Sequence, residues 1–144
     1  MTTRRALIRA YGDWLKRYQW DLFGTLTFRG FPSRSQAQNR FKSFISEIRH
    51  ECGTPKFRYV QVAEKGSGGE NLHFHILVGG LKKGCHLNIG KWCNKWRQIG
   101  GIAAIGKFER KKPGIFYLLK TLLPDEDFDI TMQLPDIIQD KERR

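Results

Sequence analysis

The first residues in this chain whose type and spacing can do chemistry are His73 and His75, separated by one apolar residue in the run Leu72-His73-Phe74-His75-Ile76-Leu77-Val78. Side chains of an extended strand alternate between faces. Phe74, Ile76 and Val78 therefore point toward a core, while the two imidazoles share the opposite face and can hold one cation between them. Glu64 lies nine residues before His73 and closes the apolar stretch that starts at Phe57. A hairpin register that sets Glu64 opposite His73 adds a carboxylate to the two imidazoles. A slip of one residue presents Gln61 in its place. Two neutral imidazoles and one carboxylate bind a divalent ion and leave positions open for substrate oxygens.

A second group with chemical capacity lies downstream in Ile115-Phe116-Tyr117-Leu118-Leu119-Lys120. Ile115, Leu118, Leu119 and Leu122 form an apolar helical stripe, and Tyr117 and Lys120, three residues apart, neighbour each other on another face. A phenol of ordinary acidity, pKa about 10, is a poor nucleophile unless its oxygen develops charge beside cations. A lysine one turn away and a metal ion on the substrate phosphate both act in that direction.

The elements that must position these groups follow from periodicity. Residues 3–19 read as an amphipathic helix with Leu7, Tyr11, Trp14 and Tyr18 on one stripe. Leu22 to Phe28 alternates as a strand, with Leu22, Leu26 and Phe28 on one face and Phe23, Thr25 and Thr27 on the other. Gly30 and Pro32 break it, and Ser33 or Ser35 caps a helix that runs to about Cys52 and buries Ala37, Phe41, Phe44, Ile45 and Ile48. Phe57 to Glu64 is a second strand, and the glycine-rich stretch 65–71 turns it into the histidine strand. That stretch has no P-loop pattern and no helix follows it. Residues 87–98 are helical, Ile102 to Glu109 is a fourth strand, and Pro113 opens a last helix to about Leu123.

Without the terminal helices the order is β-α-β-β-α-β. This predicts an α+β, ferredoxin-like antiparallel sheet with its helices on one face and the other face open, plus an N-terminal and a C-terminal helix. In that topology the first and third strands are neighbours, so Thr25, Thr27, His73 and His75 share the open face.

Composition bounds the partners. The 144 residues carry a net charge of +12. Residues 124–144 hold seven acids and three bases, which leaves residues 1–123 at +16. The expected organisation is one basic domain, 1–123, and an acidic, mobile tail, 124–144, that competes with a polyanion for the basic surface. Nucleic acid is the simplest such polyanion. No apolar run is long enough for a membrane span, and there is no signal-peptide pattern. Cys52, Cys85 and Cys93 lack paired zinc spacing and read as three buried thiols in a reducing cytoplasm.

Gly24-Thr25-Leu26-Thr27-Phe28, His73-Phe74-His75 and Tyr117-Leu118-Leu119-Lys120, in that order, resemble the three motifs of the HUH endonucleases. The type resembled is the single-tyrosine rolling-circle replication initiator, or Rep protein, of small plasmids and single-stranded DNA viruses and phages. The resemblance spans about residues 22–120 and implies the ferredoxin-like fold already read from periodicity. It also implies that His73, His75 and Glu64 hold Mg²⁺ or Mn²⁺ against a scissile phosphate of single-stranded origin DNA. Tyr117 would form a 5′-phosphotyrosyl link with Lys120 assisting, Thr25 and Thr27 would floor the site, and Arg29, Lys65, Arg110, Lys111 and Lys112 are candidate phosphate contacts. A host polymerase and a helicase would be its partners in the host-cell cytoplasm. A relaxase or single-tyrosine transposase of the same superfamily is the alternative enzyme, and in a relaxase Tyr11 or Tyr18 would take the place of Tyr117. A non-catalytic binder of single-stranded DNA or RNA accounts for the charge but not for the aligned site. An iron oxygenase shares the donor set but leaves the positive charge unexplained.

Overall fold

The computed structural model describes residues 4–65, 72–108 and 129–133. Its elements are α1 (Arg4–Leu15), β1 (Leu22–Thr27), α2 (Arg34–Cys52), β2 (Gly53–Lys65), β3 (Leu72–Leu81), a short 3₁₀ turn (Cys85–Asn88), α3 (Ile89–Ile99), β4 (Ala103–Lys107) and β5 (Asp129–Gln133). They form one sheet in the order β4-β1-β3-β2-β5, every neighbouring pair antiparallel. The first four strands have the ferredoxin-like arrangement, with β1 and β3 at the centre. The helix predicted from Pro113 lies outside the described residues.

Local chemistry accounts for the helix ends. Ser33 caps α2 in a reciprocal box: its hydroxyl accepts from the Gln36 backbone N–H, and the Gln36 side chain accepts from the Ser33 N–H. The predicted apolar stripe of α2 is the buried one, joined by Cys52. α1 stops at Leu15, earlier than expected. Tyr18 is still buried, in the connection to β1 and with its ring 6.1 Å from that of Trp20.

The core lies between the sheet and the pair α2 and α3. Leu22 and Leu26 of β1 and Phe74, Ile76 and Val78 of β3 face it, together with Trp92 and Trp96 of α3. Its centre is aromatic. Phe74 meets Phe28 at 5.0 Å and Phe41 at 5.8 Å, edge to face, and Trp96 meets Phe28 at 5.3 Å and Phe44 at 5.2 Å in the same manner. Because Phe74 lies between the two histidines in sequence, this packing fixes the strand that carries them.

Three expectations are revised. The second face is not left open: Val60, Val62 and Leu77 alternate onto it and are fully buried. At one end of that face Arg58, 6% exposed, lies over the rings of Tyr18 and Trp20 and donates to the carbonyls of Gln19 and Lys56. The cysteines are not three thiols, since Cys52 and Cys85 form a disulfide and Cys93 alone is free and half-buried. The β2–β3 ladder explains this pairing. Gly53 pairs with Leu81 and Lys82 N–H donates to Cys52 O at 2.8 Å, which brings together cysteines 33 positions apart. Finally, part of the acidic stretch is built into the sheet, where Asp129–Gln133 pairs with Tyr59–Ala63 on the outer edge of β2.

Candidate active site on the sheet

The strand register generates the site. Thr27 pairs with His73 and Thr25 with His75 across β1–β3, while Glu64 pairs with His73 and Val62 with His75 across β2–β3. Paired residues of an antiparallel ladder share a face. The face turned away from α2 and α3 therefore carries successive rows: Thr27-His73-Glu64, then Thr25-His75-Val62, then Phe23-Leu77-Val60. Polar side chains occupy the end of the sheet where β1 and β2 finish, and apolar ones fill its middle.

The side chains at the polar end are engaged with one another. His75 Nε2 lies 2.9 Å from Glu64 Oε2, and its Nδ1 lies 3.2 Å from Thr25 Oγ1. The ring is thus held from both sides and is mostly shielded, with 17% of the His75 side chain and 23% of the Glu64 side chain exposed. A carboxylate facing Nε2, with Nδ1 tied to a hydroxyl, leaves that nitrogen directed at whatever cation or proton lies between the two groups. His73 is the next residue along the same face, half-buried between Thr27 and Glu64 in the register. Among the described residues no three His, Cys, Asp or Glu side chains already converge as a metal cage. The pair Glu64–His75 is assembled and His73 is its neighbour.

The choice between Glu64 and Gln61 is decided by parity. Gln61 pairs with Ile76 and so faces α2, fully buried, where it exchanges hydrogen bonds of 2.7 and 3.1 Å with Gln38. Thr27 is fixed by the helix α3 and the connection that follows it. Trp96 Nε1 donates to its carbonyl at 2.9 Å, and its hydroxyl and N–H both donate to Ile102 O. Gly101 permits this approach, because a Cβ there would collide with Thr27 O. Arg29 is half-buried just beyond β1 and its guanidinium donates to Arg97 O. Lys65 takes the register position opposite Leu72. Tyr117, Lys120, Arg110, Lys111 and Lys112 lie outside the described residues.

The remaining tyrosines differ in access. Tyr59 faces α2, its ring 5.4 Å from that of Phe41, and burial raises its pKa above the ordinary value. Tyr18 is buried with Trp20 under Arg58, which removes it as a nucleophile in this arrangement. The Arg58 clamp itself had no sequence signal beyond one more basic residue. It becomes visible only when the start of β2 meets the connection between α1 and β1.

An antiparallel sheet in the order β4-β1-β3-β2, with α2 and α3 packed behind it and a histidine–carboxylate pair on its other face, defines an α+β domain of the ferredoxin-like class. The chain belongs to the Replication-associated protein ORF2 family, whose family model matches residues 21–122. Membership carries a role in DNA replication, and hence contact with DNA. No curated protein and no solved structure matches the chain. Among the described residues, no helix is long and apolar enough to cross a membrane.

Proposed function

We propose that this chain nicks and rejoins single-stranded DNA at a replication origin and so initiates rolling-circle replication. The observation that carries the reading is the row built around His75, with Glu64 on one ring nitrogen and Thr25 on the other. The family match supports it by spanning this row and Tyr117 together.

The donor set suits a hard divalent cation, because a carboxylate and an imidazole are already in contact and a second imidazole adjoins them on the same face. Mg²⁺ or Mn²⁺ held by His73, His75 and Glu64 would supply positive charge to the scissile phosphate. Thr25 holds the His75 ring, and the Trp96 bond to Thr27 holds the adjoining row. The Tyr117 phenol oxygen attacks phosphorus, the bond from phosphorus to the 3′ oxygen breaks, and the phenol proton passes to that leaving oxygen. The products are a 5′-phosphotyrosyl link and a free 3′-hydroxyl, and the reverse step rejoins strands. Lys120 stabilises the phenolate by its charge.

The test is covalent capture. Incubated with single-stranded oligonucleotides and Mn²⁺, the protein should yield a species shifted on a denaturing gel by the attached strand. Chelator or Tyr117→Phe should remove it. If binding persists without any adduct, the chain is a non-catalytic module. If the adduct survives Tyr117→Phe and vanishes with Tyr11→Phe, the relaxase order holds.

A finer expectation concerns Thr25. Replacing it with valine keeps the branched shape and removes the hydroxyl partner of His75 Nδ1. Losing the outer partner of a metal-ligating histidine costs about 10- to 100-fold in metal affinity or activity. Thr25→Val should therefore raise the Mn²⁺ concentration needed for half-maximal adduct formation by about that factor, with thermal stability little changed. An unaltered Mn²⁺ requirement would show that the hydroxyl does not position the ring.

A further inference from the structure

We infer that the ledge beside Thr27 is a docking subsite for single-stranded DNA, in which Phe31 and Ile102 receive unstacked bases and Arg29, Arg40 and Arg97 receive the phosphates between them. The inference rests on the proposed action on single-stranded DNA and adds where the strand lies.

Phe31 and Ile102 are 72% and 67% exposed, although both are large and apolar. Neither contributes to the core. They stand on two loops that are bonded to each other and to the site row. Thr27 N–H donates to Ile102 O at 2.9 Å, Ile102 N–H donates to Thr27 Oγ1 at 3.2 Å, and Thr27 is the register partner of His73. Arg29 N–H donates to Gly100 O at 2.6 Å, and the Arg40 side chain lies against Gly100. Phe31 is four residues beyond Thr27, within about 14 Å of it even along a fully extended chain. The apolar pair therefore adjoins the histidine row.

The charge around the ledge has one sign. Residues 28–46 carry four bases and no acid, and so do residues 91–108. No ion pair between described residues engages Arg29, Arg40 or Arg97. Exposed apolar side chains set among cations match a strand whose bases are splayed and whose phosphates are bare. A duplex would keep its base faces hidden. Leu87 is 81% exposed and lies in the 3₁₀ turn beyond the opposite end of β3, so it serves as an exposed apolar residue away from the ledge.

Fluorescence anisotropy with a labelled oligothymidylate, and with an abasic phosphodiester strand of equal length, tests the assignment. The wild-type chain should prefer the oligothymidylate. Phe31→Ala should weaken that strand about tenfold and leave the abasic strand unchanged, since stacking needs a base. Ile102→Ser should act in the same sense but less strongly. Arg40→Gln and Arg97→Gln should weaken both strands, each lowering the slope of log affinity against log salt by about 0.7. Leu87→Ser should change nothing. Because the Phe31 and Ile102 side chains are exposed, circular dichroism should show every variant folded. Oligothymidylate affinity equal to wild type in Phe31→Ala overturns the subsite. If the wild type still forms the Tyr117 adduct in that case, the nicking reading stands without it. A wild type that binds neither strand overturns both.

Discussion

His75→Ala is expected to lower divalent-stimulated strand cleavage about a thousandfold while leaving the sheet assembled. His75 touches both of its neighbours in the site, Glu64 on one ring nitrogen and Thr25 on the other. Truncation leaves the Glu64 carboxylate without its imidazole and removes one donor of the candidate cation site. A cation that polarises a transferring phosphoryl group stabilises the transition state by several kcal/mol, and each ~1.4 kcal/mol is a factor of ten in rate. The fold depends far less on this ring than on Phe74 beside it, which is wholly buried and meets two aromatic partners. Initial cleavage rates at saturating Mn²⁺, measured beside thermal unfolding, check the point. A folded variant that keeps more than about a tenth of wild-type activity would remove His75 from the chemistry.

The largest effect on stability is expected at Trp96. Its side chain is fully buried, packs edge to face on Phe28 and Phe44, and donates to Thr27 O. Trp96→Ala should cost about 3–5 kcal/mol through lost packing and the cavity left behind. The unpaired carbonyl of Thr27 adds to that loss. A domain of this kind has about 5–15 kcal/mol in total, so the variant should be largely unfolded at modest denaturant. Trp96→Phe keeps an aromatic ring and loses the N–H, and should recover much of the stability. Equilibrium denaturation of both variants provides the comparison, and a loss below about 1 kcal/mol for alanine would show that the cluster does not carry the core.

Much of the frame is legible in the sequence because it rests on short-range patterns. Alternation in Leu22 to Phe28 and in Leu72 to Val78 assigns both faces of the two central strands, and the register bears this out. The Ser33 cap and the buried stripe of α2 follow from three- and four-residue spacings. Glu64 comes within reach because a tight hairpin couples residues at a short, countable separation. The features that escape such reading are long-range or depend on shape. The Cys52–Cys85 bond joins positions brought together only after the β2–β3 ladder closes. The burial of Val60, Val62 and Leu77 depends on what covers the second face, and alternation alone cannot report that. The Arg58 clamp sets a charged group against two aromatic rings, a pairing that periodicity does not encode. Charge counting describes the acidic stretch only as a tail, whereas Ile130 and Met132 alternate across Asp129–Gln133 in the manner of a strand.

That fifth strand changes what cutting the acidic stretch would do. Its backbone groups satisfy those of Tyr59–Ala63, which otherwise form a long apolar border offering unpaired N–H and C=O groups to any extended chain. A truncated protein would lose negative charge and at the same time expose this adhesive margin, inviting molecules to join side by side. Any gain in affinity for a polyanion would then have to be separated from self-association, because the stretch that carries the shielding charge also keeps the sheet from polymerising.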